Sequence, residues 1–206
     1  MPLSDEDYKD IMNMFNNDIN SIELTKTRFN ARHMLTNIIN YSLNRKIKYD
    51  DPYSRVLTQL YNEISYKEGT IFNIIAEKII SSCDETEVIN AFMRVIENIF
   101  SDKIYNWGRI VMLYTFIGVF TKYYIDNGYT YISESEIIKK TGDYIDNNLC
   151  EWITKQGGWA SMDLFLHNTN YVEWKHYKYI GYDIFLTSMI ILGFVGVIKF
   201  VWKYLV

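Results

Sequence analysis

Few residues in this chain have the type and spacing to do chemistry. The three histidines, His33, His167 and His176, have no metal-ligand spacing, and no glycine-rich phosphate loop is present. Cys83 and Cys150 have no general base beside them in sequence and are too few for a disulfide framework. These absences argue against an enzyme, a resident cofactor or a metal centre, and the cysteines read as reduced thiols. The residue that stands out is Arg109, the single cation at the mouth of a long apolar run. A guanidinium there suits bidentate recognition of a carboxylate. No acid lies three or four residues from it within the same run, so its partner is distant in sequence or on another molecule; the plainer alternative is a local pair with Asp102.

The element that must position Arg109 begins at Asn106, an N-cap whose side-chain oxygen can accept the Arg109 amide. From Ile110 to Phe120 the residues Val111, Met112, Leu113, Tyr114, Phe116, Ile117 and Val119 cover nearly the whole circumference. Such a helix is buried on every side. It reaches about Ile125 and ends at Asn127-Gly128, a pair suited to a left-handed cap. Ser133 or Ser135 then starts a partner containing Ile137, Ile138, Tyr144, Ile145 and Leu149, and the short connection predicts a buried antiparallel hairpin.

Upstream, Ser4 can cap an amphipathic arm whose Tyr8, Ile11, Met12 and Phe15 share a face. A second helix is predicted from about Thr27 to Lys46, with Met34, Leu35, Ile38, Ile39 and Leu43 as its stripe. Asp50-Asp51-Pro52 ends one helix and starts another carrying Val56, Leu57, Leu60, Tyr61 and Ile64. Gly69 marks a break, after which Ile71, Phe72, Ile75, Ile79 and Ile80 continue to Ser82. Asp84 with Glu87 forms a capping-box pattern before Val88, Phe92, Val95, Ile96, Ile99 and Phe100. Downstream, Gly157-Gly158 is a helix stop, and Trp159, Met162, Phe165 and Leu166 form a last short helix.

The composition agrees with a mostly helical globule: 49% hydrophobic, 17% aromatic, and only 10 Gly and 2 Pro in 206 residues. The net charge of −4 argues against a nucleic-acid partner. No basic and apolar leader opens the chain. Near its end, Ile184 to Ile198 passes without a charge, and snorkelling by Lys199 would let the segment to Val206 cross a bilayer as a tail anchor.

Asn106-Trp107-Gly108-Arg109 resembles the first homology motif of the Bcl-2 family of cell-death regulators. Trp152-Ile153 with Gln156-Gly157-Gly158-Trp159 resembles the second, in order and at a similar distance downstream. The resemblance implies an all-α, Bcl-2-like helical bundle with a buried central hairpin and a C-terminal transmembrane helix. It divides the chain into an arm (1–26), a helical domain (27–167), a linker (168–182) and an anchor (183–206). It further implies a groove for an amphipathic death helix, floored by Phe72, Ile75, Val95, Ile99, Met112 and Phe116. There Arg109 would meet the ligand's aspartate, Gly108 would allow close approach, and Asn106 would bond its polar side, while Trp107, Trp152, Gly157, Gly158 and Trp159 would be scaffold. Where the family's third motif carries Gly-Asp, Ile64 and Ser65 follow Leu60, a departure suited to a diverged viral member, such as one from a poxvirus.

The implied role is a pro-survival protein of the mitochondrial outer membrane, or alternatively of the endoplasmic reticulum. It would sequester pro-apoptotic partners, including Bax and Bak. The alternatives are a membrane-tethered adaptor that blocks innate signalling and a pore-forming killer.

Overall fold

The computed structural model describes residues 5–47 and 49–162, and every regular element among them is helical. The expected final-helix residues Phe165 and Leu166, the linker and the anchor lie outside the described residues. The described helices are α1 (Asp5–Ser42), α2 (Pro52–Ser81), α3 (Val88–Ile99), α4 (Trp107–Asp126), α5 (Glu134–Asn148) and α6 (Cys150–Lys155). None of them is long and apolar enough to cross a membrane.

α4 is the centre, with every residue from Trp107 to Thr121 buried. The Asn106 side chain accepts from the Arg109 amide at 2.9 Å, as its type predicts. Polar groups inside this helix are answered locally or by a neighbour: the Thr115 and Thr121 hydroxyls donate to Val111 O and Ile117 O, and the Tyr114 hydroxyl donates to Ala31 O. At its end Gly128, with φ of 76°, allows Tyr129 N–H to reach Tyr124 O and Gly128 N–H to reach Ile125 O. Those two bonds satisfy carbonyls that would otherwise be orphaned.

α1, α2 and α3 wrap this helix with Ala31, Met34, Leu35 and Ile38, then Leu57, Ile64, Phe72 and Ile75, then Phe92, Val95 and Ile99. Asp51 caps α2 by accepting from the Ser54 amide at 2.6 Å, with Pro52 in the first turn. His33 Nε2, on α1, lies 2.8 Å from Asp50 Oδ1 and 3.4 Å from Asp51 Oδ2, which ties the start of α2 to α1.

Four expectations need correction. The predicted helix start at Thr27 is not a boundary, because α1 is continuous from Asp5, and it ends at Ser42 rather than Lys46. Asn44 takes φ of 57° there, and the Arg45 amide bonds back to Asn40 O. Gly69 does not break α2. A mid-helix glycine costs about 1 kcal/mol, whereas burying Phe72 and Ile75 on the same helix contributes roughly 1.5–3 kcal/mol each. Asp84 makes no side-chain cap; its carbonyl accepts from Glu87 N–H, and a 3-10 turn at Glu85–Glu87 leads into α3. Finally, the hairpin is buried on one arm only. α5 buries a narrow stripe, Ile137, Thr141, Gly142 and Ile145, because Glu134, Glu136, Lys139 and Asp143 need water on its other faces.

Two glycines separate packing from propensity. A Cβ on Gly118 would stand 2.9 Å from both Ile38 Cγ2 and Tyr61 Cε2, whereas one on Gly69 meets nothing within 4 Å. Gly118→Ala is expected to lower unfolding stability by about 1–3 kcal/mol despite better helix propensity. Gly69→Ala should raise it by about 0.5–1 kcal/mol. Denaturant midpoints of the two variants check both signs.

Candidate functional site

The α3–α4 loop folds back on the start of α4 and builds the site around Arg109. Lys103 takes φ of 60°, a left-handed conformation unusual for a side chain of its length. Its amide bonds to Phe100 O at 3.0 Å, and the next amide, Ile104 N–H, donates to Asp102 Oδ1 at 3.0 Å. This turn aims the Asp102 carboxylate at the central helix.

Arg109 meets it end-on, through its two terminal nitrogens. Nη1 donates to Oδ1 at 2.6 Å and Nη2 to Oδ2 at 2.8 Å, a bidentate pair. Nη1 also reaches Ile104 O at 2.7 Å and Ile99 O at 3.4 Å. The arginine side chain is 1% exposed and the aspartate 37%. The hydrogen bonds from Arg109 hold the Asp102 carboxyl below the ordinary carboxylate value, outweighing partial burial. The expectation of a partner distant in sequence or on another molecule is therefore corrected: the local alternative, Asp102, holds the guanidinium. Nε of Arg109 is buried with no hydrogen-bond partner among the described residues.

Phe72, Ile75, Val95, Ile99, Met112 and Phe116 do converge from α2, α3 and α4, but as core. The rings of Phe72 and Phe116 lie 6.0 Å apart, and Phe92 packs on Phe116 at 5.5 Å. Gly108 is buried in the first turn of α4, and Asn106 is half-buried with its carbonyl oxygen engaged as the cap. Trp107 stands 5.4 Å from Trp152 and 5.6 Å from Trp159, and Trp159 Nε1 donates to Thr27 O at 3.0 Å. Gly157 and Gly158 make this cluster possible by turning the chain at φ of 97° and 72°, with Gly158 N–H bonded to Ile153 O.

Sequence spacing did not point to a surface cleft of about 440 Å³ between α3 and α5, lined by Met93, Arg94, Glu97, Lys140, Asp143 and Tyr144. Its lining mixes both signs of charge. Cys150 is fully buried, and burial with the nearby Asp146 pushes its thiol up to about 12, far from the range of a nucleophile at neutral pH.

Removing Asp102 strands a buried cation. Asp102→Ala is expected to lower stability by about 1–3 kcal/mol, less than for a fully buried pair because the carboxylate is partly solvated. Adding Arg109→Met should recover part of that loss, which a double-mutant denaturation cycle measures. The pair's contribution is complete above the unfolded carboxylate value of about 3.9. It is lost as pH falls through the lowered folded value, so Asp102→Asn should flatten part of the acid limb of stability. Asp143, lowered by Arg32, leaves the remainder of that limb in place.

Three comparisons place this arrangement. The family model described as "Apoptosis regulator proteins, Bcl-2 family" matches residues 48–159, more than half of the chain. The chain is 32% identical over 113 residues to Bcl-2-related protein A1 of Bos taurus, covering 52% of this chain and 62% of that one. It is 33% identical over 92 residues to apoptosis regulator BAX of Homo sapiens, covering 44% and 46%. It is 29% identical over 120 residues to the Bcl-2-related ovarian killer protein homolog A of Danio rerio, covering 53% and 54%. The chain thus spans only about half to three-fifths of the length of these relatives. Among solved structures, the zebrafish pro-survival protein NRZ in complex with Bad BH3 superposes with a TM-score of 0.64 at 18% identity, over 72% of this chain and 99% of that one. Chicken BOK superposes with a TM-score of 0.54 at 22% identity, over 68% and 96%. With the helical bundle, the buried α4 and the Asn106–Arg109 motif at its mouth, these matches make the chain a member of the Bcl-2 family of apoptosis regulators.

Proposed function

We propose that this chain is a pro-survival member that captures amphipathic death helices, including those of Bax and Bak. One observation carries the reading: a buried arginine at the motif's end, held by a carboxylate in bidentate geometry and still possessing an unpartnered Nε–H among the described residues. This is a carboxylate receptor already desolvated and oriented, with Asp102 occupying the place a ligand aspartate would take. Binding is then an exchange. Asp102, 37% exposed, is released to solvent as the ligand carboxylate replaces it at a cation that cannot reach water, so forming the new pair offsets the cost of breaking the old one. The likeness to a pro-survival fold solved with a BH3 segment supports the same mode.

Opening is part of the mechanism, because the expected floor residues are all core in this conformation. The ligand's apolar anchors would part α2 from α3 and take up contacts that Phe72, Ile75 and Ile99 make with one another's helices. The departure at Ile64 and Ser65, both on a continuous α2, argues against the pore-forming role. The abundance of Ile, Asn, Tyr and Lys fits an A/T-rich viral genome, and the 183–206 segment would hold the protein at the mitochondrial outer membrane or, alternatively, the endoplasmic reticulum.

The closed floor favours a second reading, an adaptor that uses the fold to block signalling without a working groove. Calorimetric titration of the full chain in mild detergent with synthetic death helices separates the two. Sub-micromolar binding to some helices is expected; no binding to any of them selects the adaptor. Asp102→Asn should tighten binding about 3- to 10-fold by weakening the competing pair, and Arg109→Gln should weaken it by about 1–3 kcal/mol. Equal affinities in all three proteins would remove Arg109 from the site.

A further inference from the structure

α1 buries one face and carries a second apolar face that nothing in the described chain covers. At about 100° per residue, Thr27, Ala31, Met34, Leu35 and Ile38 share one side, and all five are buried. Ile19, Ile22 and Phe29 fall on the nearly opposite side, exposed by 48%, 64% and 69%. The sequence continues that face toward the N-terminus. Tyr8, Phe15, Ile22 and Phe29 recur every seven residues, with Ile11 between the first two, on a backbone helical throughout. A seven-residue apolar repeat marks a seam between two helices that coil about each other.

Three observations name the occupant of this face. The stripe is symmetric about the point between Asp18 and Ile19: Tyr8 mirrors Phe29, and Phe15 mirrors Ile22. An antiparallel copy would therefore lay each large apolar residue against its counterpart. The charges agree, since Asp5, Glu6, Asp7 and Asp10 outnumber Lys9 at one end and Lys26 and Arg28 lie at the other, while Arg32 is held within the bundle by Asp143 and Asp146. Antiparallel copies bring opposite signs together, whereas parallel copies would stack like on like. Length points the same way. Between residues 16 and 26 every side chain but Leu24 is exposed, and an unpacked stretch of helix this short is marginal in water.

We infer that the chain pairs with a second copy of itself through an antiparallel α1–α1 seam over residues 8–29. This rests on the fold and not on the death-helix reading, and it leaves Arg109 and the α2–α3 side free. At roughly 100 Å² for each large side chain on the seam, the two stripes would bury on the order of 1,200 Å², the lower end of specific interfaces.

Cross-linking tests the register. In the full chain in mild detergent, Ile19→Cys is expected to form a covalent dimer with a short bismaleimide, above the background of the native chain. Phe29→Cys alone should not, since the two copies of that position lie about 30 Å apart along the seam, but it should link when mixed with Tyr8→Cys. Ile22→Glu, at an exposed position that leaves the bundle intact, should weaken dimerisation at least tenfold in sedimentation equilibrium. A monomer at 100 μM concentration (roughly, the upper range of a weak specific pair) overturns the proposal. So does linking of Ile19→Cys, Ile22→Cys and Phe29→Cys alike, which means a parallel pair. Protection of the stripe within a monomer by residues 163–206 would overturn it as well.

Discussion

The structure turns on one ion pair. Arg109 enters the most apolar part of the molecule at the first turn of α4, where an unpaired guanidinium could not be tolerated. Asp102 makes that placement possible, and it does so only because Lys103 accepts a left-handed backbone and the Ile104 amide fixes the carboxylate from the other side. The conformation of the seven-residue loop between α3 and α4 and the burial of the central helix's mouth are thus a single problem with a joint solution. Such pairs add little net stability compared with an apolar substitute, but breaking one side of them is costly. That asymmetry is what the proposed exchange would use: a carboxylate can be replaced by another carboxylate, and by little else.

The rest of the fold follows from a central helix apolar on all sides. α4 has no solvent face, so it must be surrounded, and α1, α2 and α3 each contribute one apolar stripe to do so. Gly118 sets how closely α1 and α2 approach. The aromatic cluster of Trp107, Trp152 and Trp159 closes the end near Arg109, with Trp159 bonded to α1 through Thr27. The two sequence motifs that lie far apart in the chain are therefore neighbours in space, each end of the cluster fixing the other.

α1 departs from this economy. It packs with one face and still carries exposed apolar residues on another. The buried face is specified by the bundle, while Ile19, Ile22 and Phe29 on the far side are exposed, and in the sequence Tyr8, Phe15, Ile22 and Phe29 recur every seven positions.

Several features were legible in the residues because they depend on neighbours within about four positions. The Asn106 cap, the restart at Asp51-Pro52, the glycine stops at Gly128 and Gly157-Gly158, and the burial of α4 are local chemistry or uninterrupted pattern. Tertiary structure decided the rest. α2 runs through Gly69 because contacts from distant helices outweigh a local propensity of about 1 kcal/mol, and α5 stays at the surface because its charges outnumber the sites that could pair them inside. The six expected floor residues are buried together, but whether they line an open groove or a closed core depends on how α2 and α3 are spaced, which no periodicity encodes. The partner of Arg109 was open between a near and a far carboxylate. What chose Asp102 was the left-handed turn at Lys103, a conformation that a lysine's identity does not announce and only the surrounding packing enforces.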